Sequence, residues 1–404
     1  MPQTLFFLPA SFQARLLKNW FEIKWILLLL LFFIIGSQHA RAQEIEELKE
    51  IFTFHPNKKA AAKDSTLYKS KLITAPVISY SPETNVGFGV GAKYLFKFKG
   101  SGEETRTSNM PATIQYTLNN QFILYSGFEV FTNQEKWVIT GNLLFQNYPR
   151  LYFGIGNDSP KENEEEYDYY QLTVEPIVLK RAFLKYLFLG GGVRYNRIYN
   201  VTTEEDGLLE TNQPEGYLGS TSVGAEFAAL YDDRENILNA SKGWYIEFTH
   251  GFYGKVLGGT NEFELTRFDV RHYLTPFSKR KDVLAFQVLG YFSNRDVPFG
   301  ELALLGSGEI MRGYREGRFV DRGLMAAQVE YRLNIKNSRW GFVGFAGAGE
   351  VFRHPSDFNI GDVKPNAGIG IRFLLDQKEK LNLRVDYGFG ENTNNLYLNI
   401  AEAF

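Results

Sequence analysis

Side chains able to do chemistry are plentiful in this 404-residue sequence, but their types and spacing converge on nothing catalytic. The absence of cysteine removes thiolate nucleophiles, disulfides, thiolate-held metals and a lipoprotein anchor together. The five histidines, His39, His55, His250, His272 and His354, have neither the helical i,i+4 spacing nor the strand spacing beside carboxylates that a zinc site needs. Two acidic runs, Glu164-Glu165-Glu166 with Asp168 and Glu204-Glu205-Asp206, could gather divalent cations, yet such runs are ordinarily solvated loops. Lys279-Arg280-Lys281 reads as a polar turn. Gly190-Gly191-Gly192 lies inside an alternating run, so it marks close backbone approach in a sheet and not a phosphate cradle. No Ser/His/Asp or Asp/His set gathers. The expectation is a protein that is not an enzyme and takes no cofactor or metal. A net charge of −2 gives no basic field for nucleic acid.

The elements that must carry these residues show in the alternation of apolar and polar positions from Lys71 onward. In Leu381–Gly390, Leu381, Leu383, Val385, Tyr387 and Phe389 share one face, while Asn382, Arg384, Asp386 and Gly388 share the other. Met325–Ile335 repeats the pattern, with Gln328, Glu330 and Arg332 opposite Val329, Tyr331 and Leu333. A wall that is apolar outside and charged inside is what a lipid-facing barrel requires. The alternation predicts strands over 72–81, 86–99, 109–119, 121–131, 135–146, 167–181, 184–198, 218–230, 243–253, 262–274, 282–293, 323–336, 340–352, 363–375, 381–389 and 395–404. Sixteen is an even number, so both ends fall on one side. The outer connections then include the long stretches 147–166, 199–217 and 294–322. The inner ones include the short turns 132–134, 182–183, 337–339 and 376–380, with 231–242 the exception. The expected fold class is all-β: a transmembrane antiparallel β-barrel over 71–404.

Ahead of the barrel, residues 1–42 read as a cleaved signal peptide. Arg15, Lys18 and Lys24 form a basic region before the eleven-residue apolar run Trp25–Ile35, which is short of the ~20 residues that span a bilayer as a helix. Ala40 and Ala42 place small residues at −3 and −1 of a cleavage site after Ala42; the alternative is an uncleaved anchor. Either implies export through the inner membrane. Residues 43–70 make a short, charged periplasmic segment, too brief for an independent domain.

At 306–330 the chain reads GSGEIMRGYREGRFVDRGLMAAQVE. Met311-Arg312-Gly313-Tyr314 resembles the [V/M]RG[F/Y] motif in the sixth extracellular loop of the bacterial surface antigen family, outer-membrane barrels that include the barrel-assembly insertase and the two-partner-secretion transporters. Pro76–Thr84 resembles a frequent opening strand and loop of that family. Asp233-Arg234-Glu235-Asn236, followed by Gly243, resembles its turn before a mid-barrel strand, and Leu396–Phe404 its last strand. The resemblance covers about 71–404. It implies that loop six folds into the lumen and that Arg312 pairs with wall carboxylates, with Glu330 the inward-facing partner; Gly313 permits the tight turn at the tip. The next strand departs from the family's F-x-D-x-G-x-V: Phe345-Ala346-Gly347-Ala348-Gly349-Glu350-Val351 has glycine where the aspartate stands. The family's assembly and secretion members also carry periplasmic POTRA domains, for which 43–70 has no room, so the resemblance is to a POTRA-less member.

On the last strand, Leu396, Leu398, Ile400 and Phe404 are expected on one lipid-facing side, with Phe404 at the periplasmic interface where aromatic rings are favoured. Glu402 is expected at the water boundary. The resemblance implies a bacterial outer-membrane protein that aids insertion or assembly of proteins or lipids, or that forms a structural part of an envelope complex. The partners it implies are outer-membrane lipids, the assembly machinery during biogenesis and other envelope proteins. A porin-like diffusion channel is the rival reading, and the MRGY motif is the feature it leaves unexplained.

Overall fold

The computed structural model describes residues 70–404 apart from 103, 278–280 and 378–379. The expected signal peptide with Ala40 and Ala42, and nearly all of the 43–70 segment, lie outside the described residues.

Eighteen strands follow in chain order: β1 (Lys71–Ser81), β2 (Asn85–Phe96), β3 (Ser108–Thr117), β4 (Phe122–Phe131), β5 (Trp137–Tyr152), β6 (Glu165–Arg181), β7 (Leu187–Thr202), β8 (Ser220–Asp232), β9 (Gly243–Tyr253), β10 (Phe263–Leu274), β11 (Val283–Arg295), β12 (Ala303–Leu305), β13 (Phe319–Asp321), β14 (Gly323–Asn334), β15 (Trp340–Phe352), β16 (Lys364–Asp376), β17 (Leu381–Gly390) and β18 (Thr393–Ile400). Sixteen close into one antiparallel barrel, each beside its sequence neighbour, with β11 joined to β14 and β18 to β1. The two short strands β12 and β13 form a separate two-stranded sheet inside the connection 296–322, and Val320 of β13 also bridges Gly156. The sixteen-stranded antiparallel architecture expected from the alternation is the one observed.

Burial follows the period of two. On β14, Leu324, Ala326, Gln328, Glu330 and Arg332 are buried and point inward, while the intervening residues face out. Exposed Phe88, Val178, Phe227, Phe248, Ile369 and Phe389 cover the outside, as lipid contact requires.

Two strands differ from expectation. The β5–β6 hairpin runs on to the pair Tyr152 and Glu165, beyond the expected strand end at 146. Pro149 reads as a breaker, yet it sits opposite Asp168 in the ladder. Inward rings extend the hairpin: Tyr152 and Tyr167 lie 5.4 and 5.6 Å from the ring of Phe299 in the 296–322 connection. At the other end, β18 stops at Ile400, where Ala401 takes a positive φ of 79° and turns the chain.

The ten-residue connection between β8 and β9 is held by its own side chains. Asp232 receives the Arg234 guanidinium at 2.8 Å, and Asp233 accepts the Trp244 amide at 2.5 Å. Glu235 accepts the Ser241 amide at 2.7 Å, and Asn236 accepts those of Leu238 and Asn239. Gly243 has φ +103°, and a Cβ there would press within 2.7 Å of the Asp233 carbonyl, so the turn needs glycine.

The barrel's seam is its thinnest joint. β1 meets β2 in register from Lys71 opposite Leu95 to Ser81 opposite Asn85, whereas β1 and β18 share a single registered pair, Tyr80 opposite Leu398.

Candidate functional site: a clamped loop in the lumen

The 296–322 connection enters the barrel interior because its apolar side chains have a place there. Leu305, Met311, Tyr314 and Phe319 bury against the wall residues Leu324, Ala326 and Val351. Its tip needs unusual backbone: Met311 and Gly313 take φ of 56° and 115°. A Cβ on Gly313 would lie 2.6 Å from the Phe389 backbone, and one on Gly388 would lie 2.6 Å from the Arg312 carbonyl. The tip therefore rests directly on β17. Asn366 and Asn395 donate to the carbonyls of Arg312 and Gly313 at 2.8 and 2.7 Å. The Tyr397 hydroxyl accepts from the Gly313 amide and donates to the Tyr314 carbonyl.

Arg312 is fully buried at this tip. It donates to Glu330 on β14 in a short contact and to Asp386 on β17 at 2.7 Å, and its guanidinium stacks 3.7 Å from the Phe345 ring centre. Planar, delocalised charge between two acceptors and an aromatic face is a setting that arginine suits and lysine does not. Around it lies a buried network. Arg332 meets Glu330 at 2.9 Å, Arg372 reaches both Asp386 and Glu402, and Arg384 meets Asp386 at 3.2 Å.

Two further clamps reverse the polarity. Glu301 of the loop accepts from Arg194 on β7 at 2.8 Å and from Asn196 at 2.6 Å. Glu316 accepts from Arg150 on β5 at 2.7 Å, and its amide donates to Glu83 in the β1–β2 turn at 2.7 Å. Burial, then the neighbouring Glu316 carboxylate, push the Glu83 carboxyl above its ordinary pKa.

A conserved-domain model described as the Omp85 superfamily domain matches residues 87–404. The chain belongs to the Omp85 superfamily. Among solved structures, this Omp85 chain is similar to BamA from Haemophilus ducreyi lacking POTRA domains 1–3, with 13% identity and a TM-score of 0.53 over 90% of this chain and 78% of that one. It is also similar to CdiB from Escherichia coli (9% identity, TM-score 0.54, 85% of this chain) and CdiB from Acinetobacter baumannii (10%, 0.52, 82%). It spans 63% and 59% of those two CdiB chains. At such identities the likeness is one of fold. No curated protein sequence matches it.

Of the residues singled out from the sequence of this Omp85 barrel, Met311, Arg312, Gly313, Tyr314 and Glu330 come together in the lumen. Asp386, the second acceptor of Arg312, was not named as a partner, although the alternation already placed it inward. Glu301 and Glu316 carry no sequence signal, because their partners are set by how the loop threads. Leu396, Leu398 and Ile400 alternate with buried Tyr397 on the outer face of β18, and Leu396 is exposed. Phe404 requires correction: it does not continue that face. The turn at Ala401 sends the chain into the barrel mouth, where Phe404 is buried with Tyr273, Val283 and Ala285, and its carbonyl accepts from Arg332 at 2.8 Å. Glu402 also points inward, to Arg372 at 2.7 Å and Asn382 at 2.6 Å, and so is buried in the network and not at the water boundary. His250 bonds Thr266, His272 stacks on Trp244, and His354 lies in the β15–β16 connection.

Proposed function

We propose that this Omp85 barrel works at its β1–β18 edge, aiding insertion or assembly of proteins or lipids in the outer membrane, alone or as a structural part of an envelope complex. The observation that carries this reading is the seam. One registered pair joins β1 to β18, so parting these strands breaks far less of the ladder than parting any other neighbours. An exposed edge is a template for an incoming strand and a break in the barrel's lipid-facing surface. The lumen argues against passive diffusion, since the clamped loop occupies it. The membrane partners are outer-membrane lipids and the assembly machinery, and export through the inner membrane accompanies removal of 1–42.

The chain's lack of cysteine makes the test clean. Tyr80→Cys with Leu398→Cys places thiols on directly opposed positions, where an antiparallel pair can be bridged. Proteoliposomes holding the oxidised variant are expected to lose the acceleration that wild type gives to folding of an unrelated small barrel from urea, and to recover it on reduction. Undiminished acceleration with the seam locked would refute an edge mechanism.

A further inference from the structure

At the barrel end that carries the long connections, a cavity of about 480 Å³ opens between the 153–164 connection, the clamped loop and the β17–β18 turn. That volume is within the usual range for a small-molecule site. Its wall holds Arg318, whose guanidinium lies 4.8 and 4.4 Å from the ring centres of Phe153 and Phe319. Two of its N–H groups donate to the Ser159 hydroxyl and carbonyl, at 3.1 and 2.8 Å. Among the described residues no carboxylate lies within ion-pair distance of it, unlike Arg315 and Lys364 in the same wall, which meet Glu164 and Asp158 at 3.2 and 3.7 Å. A guanidinium has five N–H donors in a rigid fork, so this one is oriented by two rings and a serine while donors remain for an anion. Lys161 adds a second positive charge and Glu391 a negative one.

The rest of the lining is suited to hydroxyl groups. Asn392, Thr393, Asn394 and Asn395 edge the cavity. The Asn395 amide is taken by the Gly313 carbonyl, which leaves the Asn395 oxygen for a ligand beside exposed Asn392 in the turn, while Asn394 alternates to the outer face and accepts from Tyr387. We propose that this outward cup binds a phosphorylated saccharide, with the phosphate on Arg318 and sugar hydroxyls on the asparagine edge. Phosphate suits the site because two of its oxygens can accept from two parallel N–H groups of one guanidinium while the others stay free for neighbouring donors. Placement outside the cell rests on the orientation in which the short turns face the periplasm.

The test is calorimetry on the whole barrel in nanodiscs, titrated with a phosphorylated core oligosaccharide released from lipopolysaccharide and with the same material after enzymatic dephosphorylation. Wild type is expected to bind the phosphorylated probe at least tenfold more tightly. Arg318→Gln should lose that preference. Because Arg318 also packs on two rings, Asn392→Asp provides a second variant: Asn392 has φ +54°, a conformation that aspartate tolerates, and the added charge should weaken the phosphorylated probe at least threefold without affecting the dephosphorylated one. Nanodiscs containing intact lipopolysaccharide separate the two sources. Loss of the titration there identifies the membrane glycolipid as the occupant, and its persistence identifies a free saccharide. Equal affinity for both probes, or unchanged binding in both variants, overturns the proposal.

Discussion

Removing Asp386 is expected to damage this barrel more than removing Arg312, although the arginine sits at the centre of the motif. The buried network contains four guanidiniums, on Arg312, Arg332, Arg372 and Arg384, and three carboxylates, on Glu330, Asp386 and Glu402. Arg312→Ala leaves three of each, and every carboxylate keeps an arginine: Arg332 at 2.9 Å from Glu330, Arg384 at 3.2 Å from Asp386 and Arg372 at 2.7 Å from Glu402. The loss is then roughly one charged hydrogen bond net, about 1.5–3 kcal/mol. Asp386→Ala leaves four cations facing two anions and strips Arg384 of its carboxylate. Stranding a buried charge costs about 3–5 kcal/mol. The double variant should fall short of the sum by at least about 1 kcal/mol, because both single variants lose the same Arg312–Asp386 pair and the double variant loses it once. Guanidinium unfolding in detergent, followed by band shift on unboiled gels and by tryptophan emission, measures all three. Arg312→Ala costing as much as Asp386→Ala, or strict additivity, would refute the charge accounting and assign the tip's stability to backbone contacts at Gly313 and Gly388.

Wild type in planar bilayers should show no steady conductance, while Glu301→Ala combined with Arg312→Ala, which releases two clamps, should show open steps; open steps in wild type would favour the diffusion channel. Phe404→Ala should destabilise the barrel in detergent by about 2–4 kcal/mol through lost burial, whereas Leu398→Ala on the lipid face should change little, and equal effects would put Phe404 back on the outer face. Glu83, held above its ordinary pKa by burial and then by Glu316, opposes folding when ionised, so stability is gained as pH falls through its folded value. Glu83→Gln should therefore be more stable than wild type at pH 7 with the difference closing near pH 4, and a difference that does not vary with pH would count against this.

The alternation was legible in the sequence because a strand's period of two shows within one segment. Gln328, Glu330 and Arg332 on β14, and Arg384 and Asp386 on β17, face the lumen as their spacing requires. What stayed hidden depends on distances across the barrel. Asp386 is 74 residues from Arg312, and β17 is not a neighbour of the strand that follows the loop, so no local pattern joins them. Arg194 and Glu301, 107 residues apart, are hidden for the same reason. Phe404 departs from the expected face because the period of two ends at Ile400. A single left-handed residue, Ala401, ends it, and alanine is a poor signal for that conformation, which glycine or asparagine would have advertised.

The three clamps also bear on where the barrel can yield. The loop's cation meets wall acids on β14 and β17, and its acids Glu301 and Glu316 meet wall cations on β7 and β5. Fixing one insert at separated points of a ring braces that part of the ring, since spreading the wall would break several buried ion pairs at once. The β1–β2 turn receives different treatment. Its contact is the Glu316 amide on Glu83, which sets one carboxylate beside another, so attraction from the hydrogen bond is offset by repulsion between the charges. β1 then meets β18 through one registered pair. Bracing from β5 to β17 and weak restraint at β1 are two sides of one arrangement. A loop clamped in the lumen therefore also concentrates the barrel's freedom at the β1–β18 edge, the edge on which the proposed function depends.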